Sequence, residues 1–244
     1  TPIDLDALEG LSSTHPERVE AWSAARRWLR EDVLYERVPF NGILPEAKLS
    51  RADLEQMLAA GVIRRLAPHE QPKGAVHLFA VPEWHKNRRR PIKWPKAANE
   101  VLGPETLSGT SVVPRWNVIQ HARRGKYAVC VDMRQWFDQV ALDAAIQLRF
   151  CFSGGELGPM CLRQSTDVAT AITARLLDFQ SPAVVDFAAD NVRFVGSRRD
   201  ATAAFRIFLS RCEKVGVQLN ELPSDKFHDT HAIAQLCQQS HSFL

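Results

Sequence analysis

The chain has 244 residues, an apolar share of 45% and 31 Lys plus Arg against 28 Asp plus Glu, a formal net charge of +3. That length and apolar content support a packed core of one large or two small domains and exclude a disordered chain, while the near-even charge excludes nucleic-acid binding by bulk positive charge and leaves only local clusters for it. The cysteines Cys130, Cys151, Cys161, Cys212 and Cys237 form no Cys-x-x-Cys pair and read as buried thiols of a reducing, intracellular compartment, with nucleus, cytoplasm and organelle left open.

Residues 1–47 are expected to form an N-terminal extension, largely helical. Thr14 can cap its main helix, Pro16 suits the first turn, and Val19, Trp22, Trp28 and Val33 fall mostly on one side. A second helix has Ser50 as cap, Asp53 in the capping-box position, Leu54, Met57 and Leu58 as its buried stripe and Gly61 as terminator. After a turn at 72–74, residues 76–81 read as a strand closed by Pro82, and a basic stretch follows. No apolar run reaches the ~18 residues of a membrane span, so no membrane partner is expected.

Residues 127–131 are apolar and β-prone, as a central strand should be, and they end on Asp132. Residues 165–179 have helical character, with Val168, Ile172, Leu176 and Phe179 on one side. Two short apolar runs, 183–188 and 192–195, flank Asp190 and Asn191 and so predict a β-hairpin with polar groups at its tip. Asp200 is expected to cap a helix that buries Ala204, Phe205, Phe208, Leu209, Cys212 and Val215 and ends at Gly216. Strand, helix, hairpin and helix in this order predict an α+β fold.

The chemistry-bearing residues fall at the ends of these elements. Asp132 at a strand end and Asp190 on a hairpin tip can meet at one sheet edge and hold Mg²⁺, with Mn²⁺ as the alternative, through carboxylate oxygens. Two aspartates alone are weak evidence, because capping and surface solvation explain most such residues. A second cluster, Lys86, Arg88, Arg89, Arg90, Lys93 and Lys96, is bracketed by Trp84 and Trp94. Guanidinium forks match phosphate oxygens, and aromatic rings can stack on bases. His228, His231, Cys237 and His241 fit no zinc spacing and read as ordinary surface and core residues.

The segment Val129-Cys130-Val131-Asp132-Met133-Arg134-Gln135-Trp136-Phe137-Asp138-Gln139-Val140 resembles the first palm motif of retroelement reverse transcriptases. Phe187-Ala188-Ala189-Asp190-Asn191-Val192-Arg193-Phe194-Val195-Gly196 is similar to the family's catalytic hairpin, Tyr-x-Asp-Asp, and Gly158-Pro159-Met160-Cys161-Leu162-Arg163-Gln164-Ser165 to its Pro-x-Gly turn and following helix. Residues 54–63 with Phe79-Ala80-Val81-Pro82 look like the opening helix and first fingers strand, and Arg90-Pro91 with Asn99 like the elements beyond it. Gly216-Val217-Gln218-Leu219-Asn220 followed by Lys226 resembles a further palm motif, and Phe243-Leu244 the start of the primer grip. The hairpin and Leu162-Arg163-Gln164-Ser165 lean toward the tyrosine-recombinase retrotransposons of trypanosomatids.

The resemblance implies fingers and palm over residues 48–244, the palm an antiparallel sheet backed by helices, with no thumb among them. It implies RNA-directed DNA polymerase activity on an RNA or DNA template with primer and deoxynucleoside triphosphates. Asp132, Asp190, Asn191 and Lys226 would be catalytic, and Asp132, Met133 and Asp190 would hold metal. Lys86, Arg88, Arg90, Phe137 and Gln164 would bind substrate. A ring at Phe137, beneath the incoming sugar, leaves no room for a 2′-hydroxyl and argues for DNA as product; an ordinary core phenylalanine is the alternative.

Three residues depart from the family pattern: Asn191 replaces the second hairpin aspartate, Ala188 an aromatic residue at the primer end and Cys161 a glycine. Two readings therefore stand, a working polymerase and a catalytically inactive, domesticated fold that binds nucleic acid or protein partners in a larger assembly.

Overall fold

The computed structural model describes residues 2–102, 127–153, 155–157 and 165–239. In chain order the helices are α1 (Leu5–Glu9), α2 (Pro16–Arg30), α3 (Arg51–Ala59), α4 (Lys96–Val101), α5 (Ala144–Gln147), α6 (Ser165–Leu176), α7 (Arg198–Val215) and α8 (Thr230–Gln239). The strands are β1 (Ile63–Arg64), β2 (His77–Glu83), β3 (Arg88–Trp94), β4 (Tyr127–Asp132), β5 (Cys151–Phe152), β6 (Gly155–Leu157), β7 (Val184–Ala188) and β8 (Asn191–Gly196). All strand pairs are antiparallel, in sheets ordered β1-β6-β5, β2-β3 and β4-β8-β7. The fold is thus mixed helix and strand, with small antiparallel sheets. No helix among the described residues is long and apolar enough to cross a membrane. The chain divides into two compact units, one of Thr1–Ala25, Thr106–Gln139 and Thr166–Leu244, the other of Arg26–Glu105 and Val140–Ser165.

In the first unit, alternation along the strands decides which face of β4-β8-β7 is covered. Val129 and Val131 pair with Phe194 and Val192, and all four are buried. Phe205 and Phe208 of α7 lie against Phe194, with ring centroids 6.0 and 5.6 Å apart, the separation of favourable tilted aromatic pairs. Val168, Ile172 and Leu176 of α6 are buried too, at the spacing the sequence predicts. Helix α7 begins earlier than expected. Ser197 is its cap, accepting from the Asp200 N–H, while Asp200 takes the capping-box position and accepts from the Ser197 hydroxyl at 2.7 Å. Gly216, at φ 79°, ends it in the left-handed region that favours glycine.

The N-terminal segment is tied into this unit by backbone bonds from Ile3 N–H to Gln139 C=O and from Asp4 N–H to Val215 C=O, both 2.8 Å. Its second anchor is Asp178, whose fully buried carboxylate accepts from Ser13 Oγ at 2.5 Å, Thr14 N–H at 2.8 Å, His15 N–H at 2.9 Å and the Arg175 guanidinium at 3.1 Å. Burial alone would raise this carboxyl's pKa, but the hydrogen bonds from Ser13, Thr14 and His15 outweigh it and bring it to about 2. Thr14 therefore spends its N–H on Asp178, and Pro16 opens α2 as expected.

In the second unit, the helical period stops at Arg30 and the turn Asp32–Tyr35 rotates Tyr35 inward instead of Val33, which is 60% exposed. Tyr35 packs edge-on between Trp28 and Phe150 and donates its hydroxyl to Trp28 C=O. Asp32 holds Arg149 through both carboxylate oxygens, at 2.7 and 3.0 Å. Ser50 caps α3 as expected, although Met57 alone of the predicted stripe is fully buried. Pro82 does not close its strand: β2 continues to Glu83, because a two-stranded ribbon leaves N–H groups outside the ladder and tolerates proline there. The basic stretch beyond it is the partner strand β3, reached through a turn in which Asn87 takes φ 46°.

Candidate active site

The hairpin β7-β8 pairs Ala188 with Asn191, so the connecting turn consists of Ala189 and Asp190, and Asn191 opens the strand rather than sharing the tip. Ala189 adopts φ 49°, a left-handed conformation that costs a non-glycine residue about 1 kcal/mol or more unless its surroundings hold it. The buried Thr173 of α6 does so by donating its hydroxyl to Ala189 C=O. On the other side β8 pairs with β4, bringing Asn191 opposite Asp132. The Met133 N–H then donates to Asp190 C=O at 2.9 Å and fastens the end of β4 to the turn.

A third segment closes this edge. Asn220 N–H donates to Asp132 C=O at 2.9 Å, Arg134 N–H donates to Gln218 C=O at 3.0 Å, and Met133 bridges Leu219 between them. The buried Gln139 clamps the same segment, its side chain donating to Gln218 C=O at 3.0 Å and accepting from Gln218 N–H at 2.8 Å. Asn220 thereby donates its side-chain amide to Asp132 Oδ2 at 2.7 Å, and Asp132 N–H donates to Glu221 Oε2 at 2.9 Å. Asp132 Oδ1 is buried and has no hydrogen-bond partner.

Electrostatics follow from this crowding. Burial first, and then the carboxylates of Asp190 and Glu221, push the Asp132 carboxyl above its ordinary value, while the Asn220 hydrogen bond pulls the other way. A cation at this edge would relieve the repulsion and satisfy Oδ1. Among the described residues no three His, Cys, Asp or Glu side chains converge as a metal site. Two carboxylates with the remaining positions left to water and phosphate is, however, the usual manner of holding Mg²⁺, so the residues fit that ion.

Met133 is buried, and Phe137 is half-buried in the turn Trp136–Gln139, beside the buried Trp136, whose indole N–H reaches Ala169 C=O at 3.4 Å. Asn191 is exposed and, as its amide is oriented, donates to Asp190 Oδ1 at 3.0 Å. Lys226 is half-exposed and pairs with Asp229 at 3.6 Å. Gln164 and Cys161, with the whole stretch 158–164, and Phe243-Leu244 lie outside the described residues. Glu221 is the site neighbour that sequence reading missed. Its position directly after the Gly216-to-Asn220 motif was the available signal.

In the other unit, β3 distributes its arginines over two faces. Arg88 and Arg90 both pair with Glu83 of β2, the latter at 2.7 Å, whereas Arg89 turns to Asp53 of α3 at 3.4 Å. Lys86 lies in the connecting turn Trp84–Lys86. Trp84 at that turn is 86% exposed, and Trp94 lies beside His77 with Lys96 over its ring, 5.9 Å from the centroid.

No family model matches the sequence, and no curated protein matches it. Among solved structures, the crystal structure of prototype foamy virus protease-reverse transcriptase is similar, with a TM-score of 0.52 and 14% sequence identity over 73% of this chain and 25% of that one. The chain thus spans a quarter of that protein's length, and at this identity the likeness is one of fold alone: a reverse-transcriptase-like arrangement of helices and small antiparallel sheets.

Proposed function

We propose that this chain is the fingers and palm of an RNA-directed DNA polymerase of retroelement type, acting on a primed RNA or DNA template with deoxynucleoside triphosphates. In this reading residues 48–244 are fingers and palm, and residues 1–47 are an extension. The observation that carries it is the meeting of Asp132 and Asp190 at one sheet edge, joined through the Met133 N–H and Asp190 C=O. A buried carboxylate oxygen without a partner beside a second carboxylate is costly unless a cation takes it up.

When bound, Mg²⁺ or Mn²⁺ would supply charge stabilisation for the attacking 3′ oxygen and the departing pyrophosphate. Asp132 and Asp190 would hold it, with the carbonyl of Met133 as the further candidate ligand. Asn220 orients Asp132 through Oδ2, leaving Oδ1 for the ion. Thr173 keeps Asp190 in place by bonding the strained residue before it. Phe137 packs under the sugar, and Gln164 and Lys226 complete the substrate contacts. Arg88 and Arg90, with Lys86, bind the triphosphate.

Primer extension by the chain in Mg²⁺ and in Mn²⁺, beside Asp132→Asn and Asp190→Asn, tests this. Incorporation by the wild type that both variants lose by at least about a thousandfold supports it, in keeping with the loss of a group acting in the transition state. Incorporation that survives either substitution refutes it.

One observation favours the inactive-scaffold reading. Asn191 offers Asp190 an N–H donor where a second carboxylate would offer metal an acceptor. Absence of incorporation in either metal, with retained binding of primed template, selects that reading.

A further inference from the structure

The basic hairpin contains an acid in the middle of its phosphate-binding groups. Glu83 stands directly opposite Arg88 in the β2-β3 ladder and two residues along the same face from Val81, the partner of Arg90. Its two oxygens are divided between the two guanidinia: Oε2 accepts from Arg88 Nε, and Oε1 from Arg90 Nη2 at 2.7 Å. The carboxylate is only 15% exposed, whereas the arginine side chains are 54% and 55% exposed. Arg89, between them in sequence, points to the opposite face and is held by Asp53.

We infer that Glu83 is an internal phosphate surrogate, occupying the fork of Arg88 and Arg90 that a polyphosphate chain takes, and so sets the hairpin's affinity for anions and its selectivity for polyphosphate. The inference rests on the reading above that these arginines bind triphosphate. A carboxylate and a phosphate present the same pair of oxygens to a guanidinium, so the two compete for the same N–H groups. With Glu83 in place the trio carries one net positive charge instead of two. A single phosphate displaces the carboxylate from one arginine and gains little. A chain of phosphates can replace both contacts at once and still use the outward N–H groups. Glu83 also keeps the two guanidinia converged on one point, which loose arginines on a ribbon would not do.

The test is binding of inorganic tripolyphosphate and of inorganic phosphate to the full chain, by titration calorimetry at fixed ionic strength with chelator present. Glu83→Gln, which keeps shape and removes charge, is expected to bind tripolyphosphate at least about fivefold more tightly than wild type, with a steeper salt dependence. Its preference for tripolyphosphate over phosphate should narrow. Adding Arg90→Ala to Glu83→Gln should abolish the gain. Glu83→Asp, charged but too short to span both arginines, should fall between wild type and Glu83→Gln. Equal or weaker binding by Glu83→Gln, a gain that survives Arg90→Ala, or no binding by either protein overturns the inference. Because the titration needs no primer, template or divalent ion, a chain that incorporates no nucleotide can still behave as stated here. A polymerase indifferent to Glu83→Gln keeps its activity and loses only this role for Glu83.

Discussion

The Met133 N–H donates to the Asp190 carbonyl at 2.9 Å, so the residue after Asp132 and the residue at the hairpin turn are one hydrogen bond apart although 57 positions separate them in the chain (190 − 133). Asp132 and Asp190 are therefore held at one edge by backbone, whatever rotamers their side chains adopt.

That proximity predicts a conflict between stability and activity. Asp132 has a raised folded-state pKa, so its contribution to stability is fully present below the ordinary carboxylate range and is lost as pH rises through the raised value. Above that value the ionised group costs the fold stability. Asp132→Asn should therefore raise metal-free stability at pH 7 and, on the proposed function, end nucleotide incorporation. Thermal melts in chelator from pH 3 to pH 7 check it: the gain should vanish toward pH 3. A variant less stable than wild type at pH 7 would mean that the carboxylate is satisfied in some other way.

Phe137 is half-buried beside a fully buried Trp136, which suits a ring that lines a pocket. Phe137→Val should narrow the preference for deoxynucleotides over ribonucleotides by at least about tenfold, equivalent to ~1.4 kcal/mol of differential transition-state binding, and leave the fold intact. Single-nucleotide incorporation of both sugars measures the ratio. An unchanged ratio in a folded, active variant reduces Phe137 to a core residue.

Asp178 is the opposite case, a carboxylate whose role is structural. Its folded-state pKa is depressed to about 2, so the stability it contributes is present above the ordinary carboxylate value near 4 and is lost as pH falls through about 2. Asp178→Asn leaves the buried Arg175, and Arg211 beside it, without their counter-charge, and should cost about 3 kcal/mol. Denaturant titration at pH 7 measures this. A loss below ~1 kcal/mol would show that the carbonyls of Glu9, Leu11 and Ser12, which accept from Arg175, and that of Ser12, which also accepts from Arg211, suffice to hold both arginines.

Gly74 faces the backbone of Arg149 so closely that an added Cβ would lie 2.3 Å from the Arg149 carbonyl oxygen. Gly74→Ala must therefore displace main chain, including the bonds from Lys73 N–H to Leu148 C=O and from Val76 N–H to Cys151 C=O. A destabilisation of about 2–3 kcal/mol is expected by equilibrium unfolding. Wild-type stability in this variant would show that the two segments separate freely.

Local patterns carried much of the architecture. The apolar, β-prone run 127–131 marked a strand, the spacing of Val168, Ile172 and Leu176 a helix face, and Ser50 and Gly216 the ends of helices, by chemistry confined to a few neighbouring residues. The strand end at Asp132 and the hairpin around Asp190 were legible for the same reason. The strand expected to be central, β4, nevertheless lies at the edge of β4-β8-β7 among the described residues, with β8 in the middle. Where the sequence misled, a tertiary or hairpin partner had intervened. Helix α2 opens at Pro16, with Thr14 two residues before it and its N–H on Asp178, and β3, the next strand in the chain, carries β2 past Pro82 to Glu83.

The residue types at the candidate site were determined by the sequence, because each sits at the end of an element whose period declares it. Their electrostatics were not. Only the folded chain brings Asn220 and Glu221 onto Asp132, leaves Oδ1 buried without a partner and divides Glu83 between Arg88 and Arg90 while sending Arg89 to Asp53. Periodicity reports which face a side chain occupies. Which charge it meets there is decided by strand register and by segments far apart in sequence, and those are fixed only when the whole core packs.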